Sequence, residues 1–171
     1  VKGFGVQTKG GRKPVDGQTV FQIGSMSKAF TAALIGRLVD EGRLNWGDKV
    51  ADLLPGFAMA DPWVSREMMV WDLMAQHSGL EPQAASVMPL FGYGPGRVTA
   101  ALRHLKPVTS FRSAYAYQNS LFLVAGQLIE KYFSASWEEM VTRLIFKPLG
   151  LKDTTASRAG FEASANRVSL H

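Results

Sequence analysis

One helical run limits the folds open to this chain. From Ser25 to about Glu41 the apolar positions Met26, Phe30, Ala33, Leu34 and Leu38 recur at helical spacing, and Gly42 stands where a helix C-cap would. The run is apolar over much of its circumference, which predicts a helix buried between layers rather than one lying on a surface. Immediately before it, the β-prone stretches 2–6 and 19–23 flank a turn region containing Gly10, Gly11, Pro14 and Gly17, the pattern of a hairpin that Gly24 ends. After it the chain reads mostly as helix. Short helices are expected over 49–54, stopped by Pro55-Gly56, and over 68–75, running into a turn at His77-Ser78-Gly79-Leu80. A loop interrupted by Gly and Pro spans 82–95. Helices follow over 96–105, 119–133 and 136–146, the last opened by the capping box Ser136-Trp137-Glu138-Glu139.

The expectation is therefore an α/β (α+β) chain, with a β-hairpin over 1–24 and a helical region over 25–171. A lone hairpin is marginal, and its unpaired edges invite pairing. Further strands are expected outside these residues, or the chain self-associates into a homo-oligomer through its open edges.

Composition narrows the function. With 46% apolar residues, 171 positions suffice for a packed core. The charge of +5 comes from 19 Lys and Arg against 14 Asp and Glu, scattered singly rather than gathered on one face. That pattern argues against a nucleic-acid partner. The absence of cysteine excludes disulfides, thiolate metal sites and thiol catalysis. No run approaches the roughly 18 apolar residues of a membrane span, and 1–5 contain neither an initiator Met nor a signal-peptide core, so the chain is expected to begin mid-protein. His104 and His171 lack a partner at metal-ligand spacing, so no metal site is expected. Asp72 reads as a hydrogen-bond acceptor within a helix or loop.

Two motifs carry candidate chemistry. In Ser25-Met26-Ser27-Lys28, residues three apart share a helix face, so hydroxyl and amine can converge. Serine needs a neighbour to take its proton, and Lys28 can act as that base or supply a field that keeps another base ionised. The first helical turn adds free N–H groups and the positive dipole end, which favour a developing oxyanion. By spacing alone an N-cap serine followed by a solvated lysine is the better explanation of the tetrapeptide, since chance gives about 0.7 such pairs in this composition, and it is the placement at a strand-to-helix junction that favours chemistry. The second motif, Tyr117-Gln118-Asn119, heads the helix through Leu121, Val124 and Leu128, and chance gives only about 0.07 of these. Beside a cation Tyr117 can act as a base, and Asn119 offers an amide to a substrate carbonyl. A buried Tyr and a capping Asn are the structural alternative. Gln118, Phe91 and Tyr93 are candidate substrate contacts, the last two in the long loop.

Ser-x-x-Lys opening a buried helix, followed by Tyr-x-Asn on a later one, resembles the first two motifs of the serine β-lactamase and penicillin-binding-protein superfamily, on the side of the class C β-lactamases, D,D-peptidases and β-lactamase-like esterases. Residues 74–80 and 145–154 are similar to further stretches of that superfamily. The resemblance covers most of the chain, from Lys2 to Asn166. It implies a β-lactamase/D,D-peptidase-like fold and a serine hydrolase without metal or organic cofactor, acting on a small-molecule or peptide substrate. Ser25 would be acylated, Lys28 and Tyr117 would share the base and acid work, and Asn119 would position the substrate. The Ser25 N–H would form half of an oxyanion hole. Periplasmic or secreted placement would accord with the superfamily, though the residues themselves leave localisation open.

The third motif of that superfamily, Lys or His followed one residue later by Gly on a strand, is missing after Asn119. His77-Ser78-Gly79 matches as letters but lies between the two motifs in a loop and is set aside. The expectation is a piece of a longer hydrolase that lacks one cleft wall and is inactive alone. The alternative is a catalytically silent module that keeps the fold and binds a ligand or a partner chain.

Overall fold

The computed structural model describes residues 2–169. His171, one of the two histidines set apart above, lies outside the described residues. The chain divides into two compact units, Val1–Phe30 with Glu138–His171, and Thr31–Trp137.

In the first unit the hairpin narrows to one antiparallel bridge between Val6 and Pro14, supported by Gln7 N–H donating to Lys13 O (2.9 Å) and Val15 N–H to Gly5 O (3.0 Å). The other expected strand pairs elsewhere. Val20 forms a parallel bridge with Arg167, its N–H donating to Asn166 O at 2.8 Å while Val168 N–H returns to Val20 O at 3.1 Å. The reason is local: Gln7 and Lys13 close the chain on itself well before residue 19, which leaves Val20 to find another partner. Asn166 fastens the arrangement through its side chain, which donates to Asp16 Oδ1 (2.9 Å) and accepts from Gln7 and Thr19.

Helix α1, Ser27–Asp40, follows a single 3₁₀ turn at Gly24–Met26. Its buried positions are Thr31, Leu34, Ile35 and Leu38, one stripe at helical spacing, whereas Ala29, Ala33, Arg37 and Asp40 are exposed. The described residues thus bury one face of the helix expected to lie between layers.

The second unit adds α2 (Val50–Leu53), α3 (Pro62–Glu67), α4 (Val70–Ala75), α5 (Pro95–Ala101) and α6 (Asn119–Phe133). Helix α6 packs against α4 and α5. It buries Ser120, Leu121, Val124, Ala125, Leu128 and Ile129, two adjacent columns repeating every four residues. Helix α3 was not foreseen, although its start carries a signal: Asp61 caps it by accepting from Trp63 N–H at 2.7 Å, and Pro62 takes the first turn. The long loop contains a 3₁₀ turn at Met88–Phe91.

Back in the sequence of the first unit, α7 (Trp137–Val141) widens into a π turn at Thr142–Phe146 instead of continuing as one α-helix. Thr142 Oγ1 donates to Glu138 O at 2.7 Å, and Lys147 N–H reaches back five residues to Thr142 O at 2.9 Å. A hydroxyl occupying a carbonyl four residues back competes with the regular ladder. A short helix, α8 (Arg158–Ala163), is capped by Ser157, whose hydroxyl accepts from Gly160 N–H at 3.0 Å.

Candidate active site

Ser25 and Lys28 belong to the first unit. Gly24, at φ +51°, takes the left-handed conformation that glycine adopts without a Cβ penalty, and so turns the chain from the extended stretch into the 3₁₀ turn that carries Ser25. Lys28 lies one residue into α1. Its Nζ donates to Ser25 Oγ at 3.1 Å, so the two groups named by spacing meet. Ser25 is exposed and Lys28 half-buried, an arrangement in which the hydroxyl can be approached while the amine keeps some solvent contact. Helix α1 starts two residues after the serine, so the positive end of its dipole opens beside Ser25, while the Ser27 N–H is taken by Gly24 O and Ser25 O.

Tyr117, Gln118 and Asn119 belong to the second unit, at the head of α6. Gln118 is extended (φ −136°, ψ 121°), and successive side chains of extended backbone point to opposite sides. Accordingly Gln118 is fully buried while Tyr117 and Asn119 on either side are half-buried. The Gln118 amide donates to Leu80 O (2.9 Å) and Glu81 O (3.3 Å) and accepts from Ser78 Oγ (2.7 Å), and its backbone N–H donates to Gln76 Oε1 (2.6 Å). Gln118 therefore faces the interior and not a ligand. Tyr117 O accepts from Gln83 N–H at 2.7 Å, and Asn119 Nδ2 donates to Gln83 Oε1 at 3.2 Å. Phe91 and Tyr93 are exposed in the long loop, Phe91 by 78%.

The loop 76–81 that receives Gln118 has its own supports. Gly79 sits at φ +85°, and a Cβ there would fall 2.6 Å from Thr109 O. Its carbonyl accepts from Val108 and Thr109 N–H, while His77 O accepts from Arg112 N–H at 2.8 Å. Arg112 then reaches the fully buried Asp72 with two parallel bonds, Nε to Oδ1 at 2.8 Å and an Nη to Oδ2 at 2.7 Å, between the rings of Trp71 and Phe111. Hydrogen bonding to Asp72 holds the Arg112 pKa above its ordinary value. Asp72 also accepts from Met69 N–H at the start of α4, in the acceptor role its position suggested. The sequence did not single out Arg112, Gln76, Ser78 or Gln83 as site residues. Burial marks Gln76 and Ser78, while Gln83 is exposed and Arg112 half-buried, and their partners lie dozens of positions away in the chain.

Among the described residues no group of three or more His, Asp or Glu is placed to hold a metal, and no helix is long and apolar enough to cross a membrane.

Comparison with known proteins gives these motifs a context. The chain is 32% identical over 150 residues to Penicillin-binding protein 4 of Amycolatopsis lactamdurans, covering 86% of this chain and 39% of that protein. The octameric penicillin-binding protein homologue of Pyrococcus abyssi superposes with a TM-score of 0.80 at 25% identity, over 98% of this chain and 40% of the homologue. The D-amino acid amidase of Ochrobactrum anthropi SV3, solved with D-phenylalanine, superposes with a TM-score of 0.70 at 25% identity, over 84% of this chain and 40% of the amidase. The chain thus spans about two fifths of these proteins, and its mostly helical content with few bridges is that portion of their α/β fold. The Beta-lactamase profile matches residues 1–169, and the chain belongs to the Beta-lactamase family.

Proposed function

We propose that the protein carrying this chain is a serine hydrolase that forms an acyl-enzyme on Ser25. The observation that carries the reading is the 3.1 Å contact between Lys28 Nζ and Ser25 Oγ. In its neutral form the amine accepts the hydroxyl proton as Oγ bonds to a substrate carbonyl carbon. The tetrahedral oxyanion is favoured by N–H groups at the head of α1. As the intermediate collapses, the bond to the leaving amine or alkoxide breaks and that group takes up the proton that Lys28 accepted. Water then attacks the Oγ ester, releasing the acid and restoring the serine. Tyr117 shares the proton transfers, Asn119 orients the carbonyl side of the substrate, and Phe91 and Tyr93 offer apolar surface to it.

The substrate class is an ester, a β-lactam or a D-amino-acid amide or peptide. The amidase and penicillin-binding relatives support this range. Self-association belongs to the same proposal, since the Pyrococcus abyssi homologue is octameric and the extended segments here pair through single bridges. The test is hydrolysis of a D-amino acid amide, a chromogenic ester and a chromogenic cephalosporin by the full protein and its Ser25→Ala variant. Turnover of at least one, lost in the variant, supports the proposal. Equal rates in both proteins would overturn it, and binding without turnover would assign a silent binding module.

A further inference from the structure

We infer that Gln118 is a positioning residue: its buried amide fixes where Tyr117 and Asn119 point by tying the head of α6 to the loop 76–81. The inference rests on the acyl-serine reading for its consequence, and on geometry for its substance.

A side-chain amide has two N–H donors and an oxygen acceptor. Gln118 directs both kinds of group into one loop, to Leu80 O, Glu81 O and Ser78 Oγ, and its backbone N–H goes to the Gln76 side chain. The network continues inward, because Ser78 Oγ also accepts from Leu80 N–H at 3.2 Å. Gln118 is 0% exposed, Ser78 2% and Gln76 7%. Water does not compete for these bonds, and each lost partner would be left unsatisfied in the interior.

The loop on the receiving side is constrained independently. Gln76 takes φ +57° at the end of α4, and Gly79 takes φ +85° with no room for a Cβ. Gln118 therefore docks onto a fixed surface. Because its backbone is extended, rotating it would swing Tyr117 and Asn119 together. Gln83 meets both from a second side, its N–H donating to Tyr117 O and its exposed side chain accepting from the Asn119 amide. An apolar side chain of similar volume would fill the same space, but it would not select one register; directional bonds do.

The test compares wild type with Gln118→Leu, which deletes the amide, and Gln118→Glu, which restores an acceptor and an O–H donor only when protonated. A fluorophosphonate reports the limiting rate and half-saturation for labelling Ser25. Gln118→Leu is expected to lower the limiting rate about tenfold or more while half-saturation changes less than about threefold. Normalised to wild type at each pH, Gln118→Glu is expected to label at near-wild-type rate at about pH 5 and to lose about tenfold by about pH 8, as the buried carboxyl ionises. A merely structural role would not produce that pH-dependent rescue. Amide hydrogen exchange, which needs no activity, is read in parallel and should accelerate about tenfold at Leu80 and Asn119 in Gln118→Leu. Unchanged exchange there, or labelling that follows wild type at every pH in both variants, would overturn the inference. Absence of labelling in wild type would end the acyl-serine reading alone, and the exchange result would still decide the positioning role.

Discussion

The Ser25 hydroxyl and the Lys28 amine are three residues apart, and that spacing alone brings them to 3.1 Å. On the proposed mechanism Lys28→Ala is expected to slow Ser25 labelling by about 10²–10⁴-fold, the usual contribution of a positioned proton acceptor, as measured by stopped-time labelling. Ser120 makes the opposite kind of prediction. Its hydroxyl is buried and has no hydrogen-bond partner among the described residues. Ser120→Ala removes an unsatisfied group from the first turn of α6, so the urea midpoint should rise by the equivalent of about 1 kcal/mol. The contrast marks what a sequence can disclose about single residues. Ser25 and Lys28 were legible because helix periodicity is local. Gln118 was read as a substrate contact because its letters place it inside a motif, whereas its burial depends on a loop some forty positions away, at Ser78 and Leu80.

Among the elements, α6 was legible to the residue, since two apolar columns and a polar start define both its ends and its buried side. Helix α1 was legible in extent, and α7 gave way to a π turn because one threonine hydroxyl competes for a carbonyl. The connection 107–116 received no reading from the sequence, yet it carries the ion pair that joins it to α4. Arg112 meets Asp72 through two parallel bonds, and Asp72 has no exposed surface. Arg112→Ala would leave that carboxylate buried and unpaired, so the folded state should lose about 3–5 kcal/mol, read from the denaturant midpoint. Gly79→Ala tests the facing loop. Its φ of +85° and the 2.6 Å approach to Thr109 O leave the new methyl nowhere to go, and a thermal midpoint equal to wild type would contradict that account.

For the molecule as a whole, acid should be the destabilising direction. Asp16 has its pKa lowered chiefly by a hydrogen bond from Asn166, Glu41 by Arg37 and Glu67 by Lys49. A carboxylate whose folded pKa lies below its unfolded value of 3.8 or 4.5 stabilises the fold above that value, and the contribution disappears as pH falls through the folded pKa. Thermal midpoints should therefore be flat near neutrality and fall below about pH 4.5, with a shallower fall in Lys49→Met. At this scale the family and the helical character were legible, because two motifs and several apolar periodicities survive in linear order. The pairing of the two ends of the chain was not: Thr19 and Asn166 are hydrogen-bonded across 147 positions, and no local pattern announces such a bond.

The central claim is that Ser25 accepts an acyl-like group with help from Lys28 and Tyr117. Its most direct measurement is the site and rate of fluorophosphonate attachment, by peptide mass mapping of wild type, Lys28→Ala and Tyr117→Phe. The expected result is one adduct, on Ser25, formed more slowly in both variants although they remain folded. An adduct on another serine, or none on folded wild-type protein, would contradict the account.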